Sequence, residues 1–180
     1  MILYTIGHST RALEEFLRLL DGEGIVHVAD VRAYPVSLRY PHFNREPLAS
    51  ALATLGVGYS HHAALGGRRT PAPDSPNAGW RNAGFRGYAD HMRTSEFGSA
   101  LEALLVVARE TPTAVMCAEA VPWRCHRSLI ADAVVARGGS VRHILDAGAR
   151  PHLLHDFAVV RGEMVTYPSG GGGAVQGQLL

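Results

Sequence analysis

Reactive side chains crowd into one stretch, Cys117-Ala118-Glu119-Ala120-Val121-Pro122-Trp123-Arg124-Cys125-His126-Arg127. Two thiols, a carboxylate, an imidazole and two arginines so close together could serve metal ligation, thiol chemistry or carboxylate acid–base chemistry. Metal ligation needs three or four convergent donors. Cys-x7-Cys-His matches no common finger spacing, and Cys125 and His126, as neighbours on a helix, would point roughly 100° apart. No metal and no cofactor are therefore expected. Cys117-x6-Arg124 exceeds the Cys-x5-Arg spacing of cysteine phosphatases by one residue and lacks their glycines. Cys125 at a helix N-terminus would have a lowered thiol pKa and is the candidate redox residue or thiol nucleophile, but packing is the commoner role for small buried cysteines and is expected for both.

Glu119 lies directly beyond an apolar strand, where partial burial would raise its pKa into the acid–base range; it is the candidate catalytic carboxylate. Its alternative role is an ion-pair partner for Arg124, Arg127 or Arg32. His8, after the first strand, is the candidate proton partner. Arg127, beside free backbone N–H groups at a helix start, and Arg124 are candidate anion holders. Ser9 and Arg11 follow His8. Asp30 and Arg32 leave a strand on one face, as substrate-binding residues or as an intrastrand ion pair. Tyr88 and Trp80 are aromatic candidates for stacking on a base.

These residues need a frame. Met1 to Gly7 reads as a buried strand, Leu13, Phe16, Leu17 and Leu20 as one helical face, and Ile25 to Asp30 as a second strand. Leu48, Ala51, Leu52 and Leu55 mark a second helix, and Val57 to His61 a third strand. Leu101, Leu104, Leu105 and Ala108 mark a third helix before the strand Thr113 to Ala118. Cys125 to Arg137 is a fourth, followed by the strand Ser140 to Leu145. Strands alternating with helices predict an α/β single domain over 1–167, with a mainly parallel five-stranded sheet and helices on both faces. The glycines and prolines of 65–87 predict an irregular loop or lid, Val159 to Tyr167 a terminal hairpin, and 168–180 a flexible glycine-rich tail. Ligands of such sheets sit beyond the carboxyl ends of the strands, which gathers His8, Arg32 and Glu119 into one proposed site.

Composition narrows the function. The chain has 180 residues, 47% of them hydrophobic, and a formal charge of +1, which argues against a dedicated duplex-DNA binder. All 17 basic residues are arginine, so Schiff-base lysine chemistry and a P-loop lysine are excluded. Two cysteines fit a reducing cytoplasm better than a disulfide-stapled scaffold. No export signal or membrane span is read in the sequence, and cytoplasmic localisation is expected. The glycines at 22/24 and 56/58 follow helices rather than strands and are not dinucleotide fingerprints.

YTIGHSTR (Tyr4 to Arg11), DVR-x-x-P (Asp30 to Pro35), GVGY (Gly56 to Tyr59), LGG (Leu65 to Gly67), GFRGYADHM (Gly84 to Met92), MCAE (Met116 to Glu119), CHR (Cys125 to Arg127) and HIL (His143 to Leu145) occur together. In these blocks the chain resembles the bacterial and archaeal family called domain of unknown function 488. The resemblance implies a compact cytoplasmic α/β domain and marks His8, Ser9, Arg11, Asp30, Arg32, Glu119, Cys125, His126 and Arg127 as recurring positions. It assigns no reaction. Two readings of the partner follow. In one, the protein is a cofactor-independent hydrolase or transferase acting on a small anionic ligand such as a nucleotide or modified base, with N-glycosyl chemistry at Glu119. In the other, it is a non-catalytic module binding a nucleotide or single-stranded nucleic acid.

Overall fold

The computed structural model describes residues 1–170, so the expected tail, 168–180, lies outside the described residues beyond Gly170. The main sheet contains β1 (Ile2–Gly7), β2 (His27–Asp30), β3 (Gly58–His61), β4 (Thr113–Cys117), β5 (Ser140–Leu145) and β6 (Gly148–Pro151), in the order β3-β2-β4-β1-β5-β6. Every pair is parallel except β5 with β6. The fold is thus a single α/β domain with a mainly parallel sheet, of six strands rather than the expected five. The additional strand, β6, is short and ends in proline; Gly148, at φ +99°, allows the tight return from β5. A separate hairpin of β7 (Val159–Arg161) and β8 (Met164–Thr166) occupies the expected place.

The helices are α1 (Leu13–Gly22), α2 (Arg45–Thr54), α3 (Ala83–His91), α4 (Ser95–Glu110) and α5 (Arg127–Ala136). Strand alternation divides the core into two layers. Ile6, Val28, Ala114 and Met116 pack with Phe16, Leu20, Leu48 and Leu52 of α1 and α2. Leu3, Ala29, Val115 and Cys117 pack with Tyr88, Leu101, Leu105 and Leu129 of α3, α4 and α5. Burying a large aliphatic side chain contributes about 1.5–3 kcal/mol, so these two layers dominate the folding energy. No helix among the described residues is long and apolar enough to cross a membrane.

Helix α3 is hidden in the sequence by Gly84 and Gly87. Asn82 caps it by accepting bonds from the N–H groups of Gly84 and Phe85 at 2.9 and 3.2 Å. Gly87 has no Cβ because one there would lie 2.4 Å from the Arg69 carbonyl oxygen. The segment preceding α3 is irregular, yet it is anchored. The Asp90 carboxylate accepts bonds from Ala72 N, Ser75 Oγ and Asn77 Nδ2 at 2.9, 2.6 and 2.7 Å. Trp80 packs against Phe85, Phe157 and Tyr167. In this arrangement the segment packs against α3, and Trp80 belongs to that aromatic cluster.

Candidate functional site

Strands β1 and β4 are neighbours whose outgoing helices leave in opposite directions, α1 towards β2 and α5 towards β5. A crevice opens at such a switch point. A cavity of about 690 Å³ fills it, lined among others by His8, Ser9, Arg32, Cys117, Glu119 and His126. Two tight approaches shape its floor. The pairing of β1 with β4 continues past the strand ends through His8 N to Cys117 O and Ser9 N to Ala118 O, both at 2.9 Å. Gly7 is required there, since a Cβ would sit 1.9 Å from the Glu119 carbonyl oxygen. Ser9 and Arg68 are the two non-glycine residues with positive φ, +49° and +64°, among the described residues, and both line the cavity. Such backbone strain concentrates where a structure holds functional groups in place.

Asp30 is fully buried beneath the cavity and takes Arg32 in a forked bond: Nε donates to Oδ1 at 2.9 Å and Nη2 to Oδ2 at 2.6 Å. Tyr59 Oη adds a bond to Oδ2 at 2.7 Å, and burial together with the Asp30 charge pushes the Tyr59 phenol upward. The intrastrand ion pair is therefore formed, and it leaves only Nη1 of Arg32 for other partners. That nitrogen lies 3.4 Å from His8 Nε2. His8 Nδ1 donates to Ser9 O at 3.0 Å, which leaves Nε2 unprotonated, and the ring stacks on Phe43 at 4.3 Å. Burial first, with Arg32 nearby, lowers the His8 pKa from 6.5 to about 4, so the imidazole is neutral at physiological pH.

Glu119 lines the cavity as expected, but its side chain is exposed rather than partly buried and pairs with no arginine among the described residues; its Oε1 accepts a bond from Ala120 N at 3.0 Å. Arg127 is not an anion holder. It is 1% exposed, and its Nη2 donates to Glu119 O at 2.5 Å while Nε donates to Cys125 Sγ at 3.3 Å. It fixes the loop that presents Glu119. Tyr88 is also removed from the ligand: 1% exposed, it donates to Leu65 O at 2.7 Å. Arg124 is exposed and does not line the cavity. Arg11 turns aside to Gly7 O and Asp146, tying β1 to the β5–β6 turn.

Besides Arg32, two cations that face the cavity were not read from the sequence. Arg39 and Arg68 sit on its rim with Tyr40 and Tyr34, their guanidinium carbons 5.4 and 5.9 Å from the ring centroids. Neither forms an ion pair among the described residues. They belong to irregular segments with no periodicity, so residue type was the only signal they gave.

Among the described residues two clusters hold donor atoms close enough for a metal ion: Cys117, Cys125 and His126, and Asp132, His152 and His155. The first overturns the expectation of divergent neighbours. Helix α5 starts at Arg127, and Cys125 is extended at φ −135°, ψ 144° after the helical turn Pro122–Arg124, so its sulfur lies 3.7 Å from His126 Nδ1. Both thiols are free and buried. A hydrogen bond from Cys117 lowers the Cys125 pKa well below 9.0, helped by His126 and Arg127, while the same contact raises that of Cys117. In the second cluster Asp132, fully buried, accepts bonds from His152 Nε2, His155 Nδ1 and Tyr167 Oη at 2.9, 2.5 and 2.6 Å.

The fold and this cavity define a doubly wound α/β domain with a ligand-sized site at its switch point. A family model described as Domain of unknown function DUF488 matches residues 12–134, more than half of the chain, and the chain belongs to that family. The matched range includes Asp30, Arg32, Glu119 and the CHR block. No curated protein and no solved structure matches the chain.

Proposed function

We propose that the protein is an enzyme acting on an anionic small molecule of the nucleotide class, by N-glycosyl transfer or hydrolysis. One observation carries this reading: a single cavity of about 690 Å³ joins an exposed carboxylate, a neutral imidazole and two unpaired arginines stacked on tyrosines. Its volume falls within the range of roughly 300–1,000 Å³ usual for small-molecule sites. Arg39 and Arg68 hold the anion, and Tyr34 or Tyr40 offers a face to a planar base. In hydrolysis the sugar–base bond breaks with its electron pair going to the base. Glu119 stabilises the positive charge developing on the sugar, and His8 Nε2 accepts the proton of the attacking water, which passes on to the departing base. Arg32, neutralised by Asp30, belongs to the cavity floor and is not assigned to the ligand.

The test is a thermal-shift screen of nucleotides, nucleosides and inorganic phosphate on the wild type and on an Arg39→Ala/Arg68→Ala double variant. A ligand at 100 times its Kd stabilises by about 2.7 kcal/mol. Nucleotides are expected to raise the wild-type Tm and to lose most of that effect in the double variant. A screen without any shift, or a shift unchanged in the double variant, contradicts the reading.

A further inference from the structure

We infer that Cys117, Cys125 and His126 form a binding site for one thiophilic divalent cation, Zn²⁺ by its chemistry, with a fourth coordination position open to the cavity. This goes beyond the ligand reading and stands without it. All three donor atoms lie within 4.8 Å of one another. The Cys125 Sγ to His126 Nδ1 separation of 3.7 Å is close to the roughly 3.6 Å edge of a tetrahedron with Zn–S near 2.3 Å and Zn–N near 2.0 Å. His126 is oriented as a ligand. Its Nε2 donates to Val31 O at 3.1 Å, which fixes the tautomer and leaves the Nδ1 lone pair directed to the sulfur side. Gly67 keeps that nitrogen clear, because a Cβ at that position would lie 2.8 Å from Nδ1. Arg127 Nε donates to Cys125 Sγ at 3.3 Å and steadies a thiolate there.

Cys117 and His126 line the cavity, so an ion between the three donors keeps one face towards it, as catalytic rather than structural zinc sites do. As the two metal–sulfur bonds form, the Cys117 and Cys125 thiol protons pass to the buffer. The Asp132 cluster is less suited, since both carboxylate oxygens already accept hydrogen bonds from His152, His155 and Tyr167.

The test uses the reduced 180-residue chain and Co²⁺ as the probe. One equivalent is expected to bind with a thiolate-to-cobalt charge-transfer band and the intense visible bands of a tetrahedral ion. Zn²⁺ is expected to displace it and to protect both cysteines from alkylation. Cys117→Ser and Cys125→Ser should each diminish the charge-transfer band, and the double variant should lack it. His126→Gln should weaken binding by at least the about 10–100-fold that loss of an outer-shell partner costs. If either cysteine variant misfolds, alkylation protection of the wild type still decides. Co²⁺ bound without a charge-transfer band, which would place it at Asp132, overturns the inference. So does unchanged alkylation in the presence of Zn²⁺.

Discussion

Asp30 and Asp132 are both fully buried, yet they belong to opposite kinds of region. Asp30 lies under the open cavity and is matched by one permanently charged partner, Arg32, in a forked bond. Asp132, on α5, is matched by imidazoles and a phenol contributed by the C-terminal segment. The first pair builds the floor of a ligand site. The second fastens the segment after β6, and with it the β7–β8 hairpin, to the body of the domain. From Asp132 one chain of bonds runs back towards the Glu119 loop. His143 Nε2 meets His152 Nδ1 at 3.0 Å, Thr5 Oγ1 meets His143 Nδ1 at 2.7 Å, and Arg127 Nη1 reaches Thr5 Oγ1 at 3.4 Å. With every donor oriented towards Asp132 the chain is consistent in polarity, and Arg127 joins it to the Glu119 loop.

The largest expected effects come from breaking either pair. Asp132→Ala and Asp30→Ala each leave buried partners uncompensated and should cost about 3–5 kcal/mol in denaturant unfolding. Asp132→Ala should also open the C-terminal hairpin to hydrogen exchange, whereas Asp30→Ala should leave it protected. Equal loss of protection in both variants would erase the distinction between the two regions.

Acidification is the next largest lever. Burial, followed by the charge of His152, lowers the His143 pKa from 6.5 to about 3, and burial lowers that of His8 to about 4. The unfolded chain therefore binds these protons first: stability is complete above about pH 6.5 and falls as pH drops towards the folded-state values. Burial raises the Asp132 pKa, but its histidine and tyrosine bonds outweigh that and hold it below 3.8. Its contribution is present above 3.8 and is lost as pH falls through the folded-state value. His143→Gln should flatten the stability profile between pH 6.5 and 4, measured by unfolding at fixed ionic strength; an unchanged slope would contradict the assignment.

How far the sequence announced these regions follows from what periodicity can encode. The ends of β1, β2, β4 and β5, and the helices α1, α2 and α4, were legible because their apolar residues repeat with the period of the element. Strand ends then placed His8, Arg32 and Glu119 in one crevice. Residue type did not reveal depth: Arg127 and Tyr88 resemble ligand contacts by chemistry and turned out to be buried ties. A shift of two residues in the start of α5 converts Cys125 and His126 from divergent helical neighbours into converging donors. The Asp132 cluster joins α5 to a segment with no clear period, a long-range relation that spacing along the chain does not carry.

Smaller effects sharpen the outline of the site. Arg39→Ala or Arg68→Ala should each weaken an anionic ligand by about 1.5–3 kcal/mol, as expected for a charge-assisted bond. Arg124→Ala, on an exposed side chain outside the cavity, should change both stability and binding by less than about 0.5 kcal/mol. Isothermal titration of these three variants with one nucleotide orders them, and an Arg124 effect as large as that of Arg68 would redraw the rim.

The most direct measurement compares Glu119→Gln with the wild type, using the nucleotide that gives the greatest thermal shift, following both binding and release of free base. The account predicts near-equal Kd and Tm, because the side chain is exposed, with base release abolished in the variant. Base release persisting at the wild-type rate in Glu119→Gln, or no release from the wild type under any condition that saturates the site, would contradict the claim that this cavity is catalytic and that Glu119 performs the chemistry.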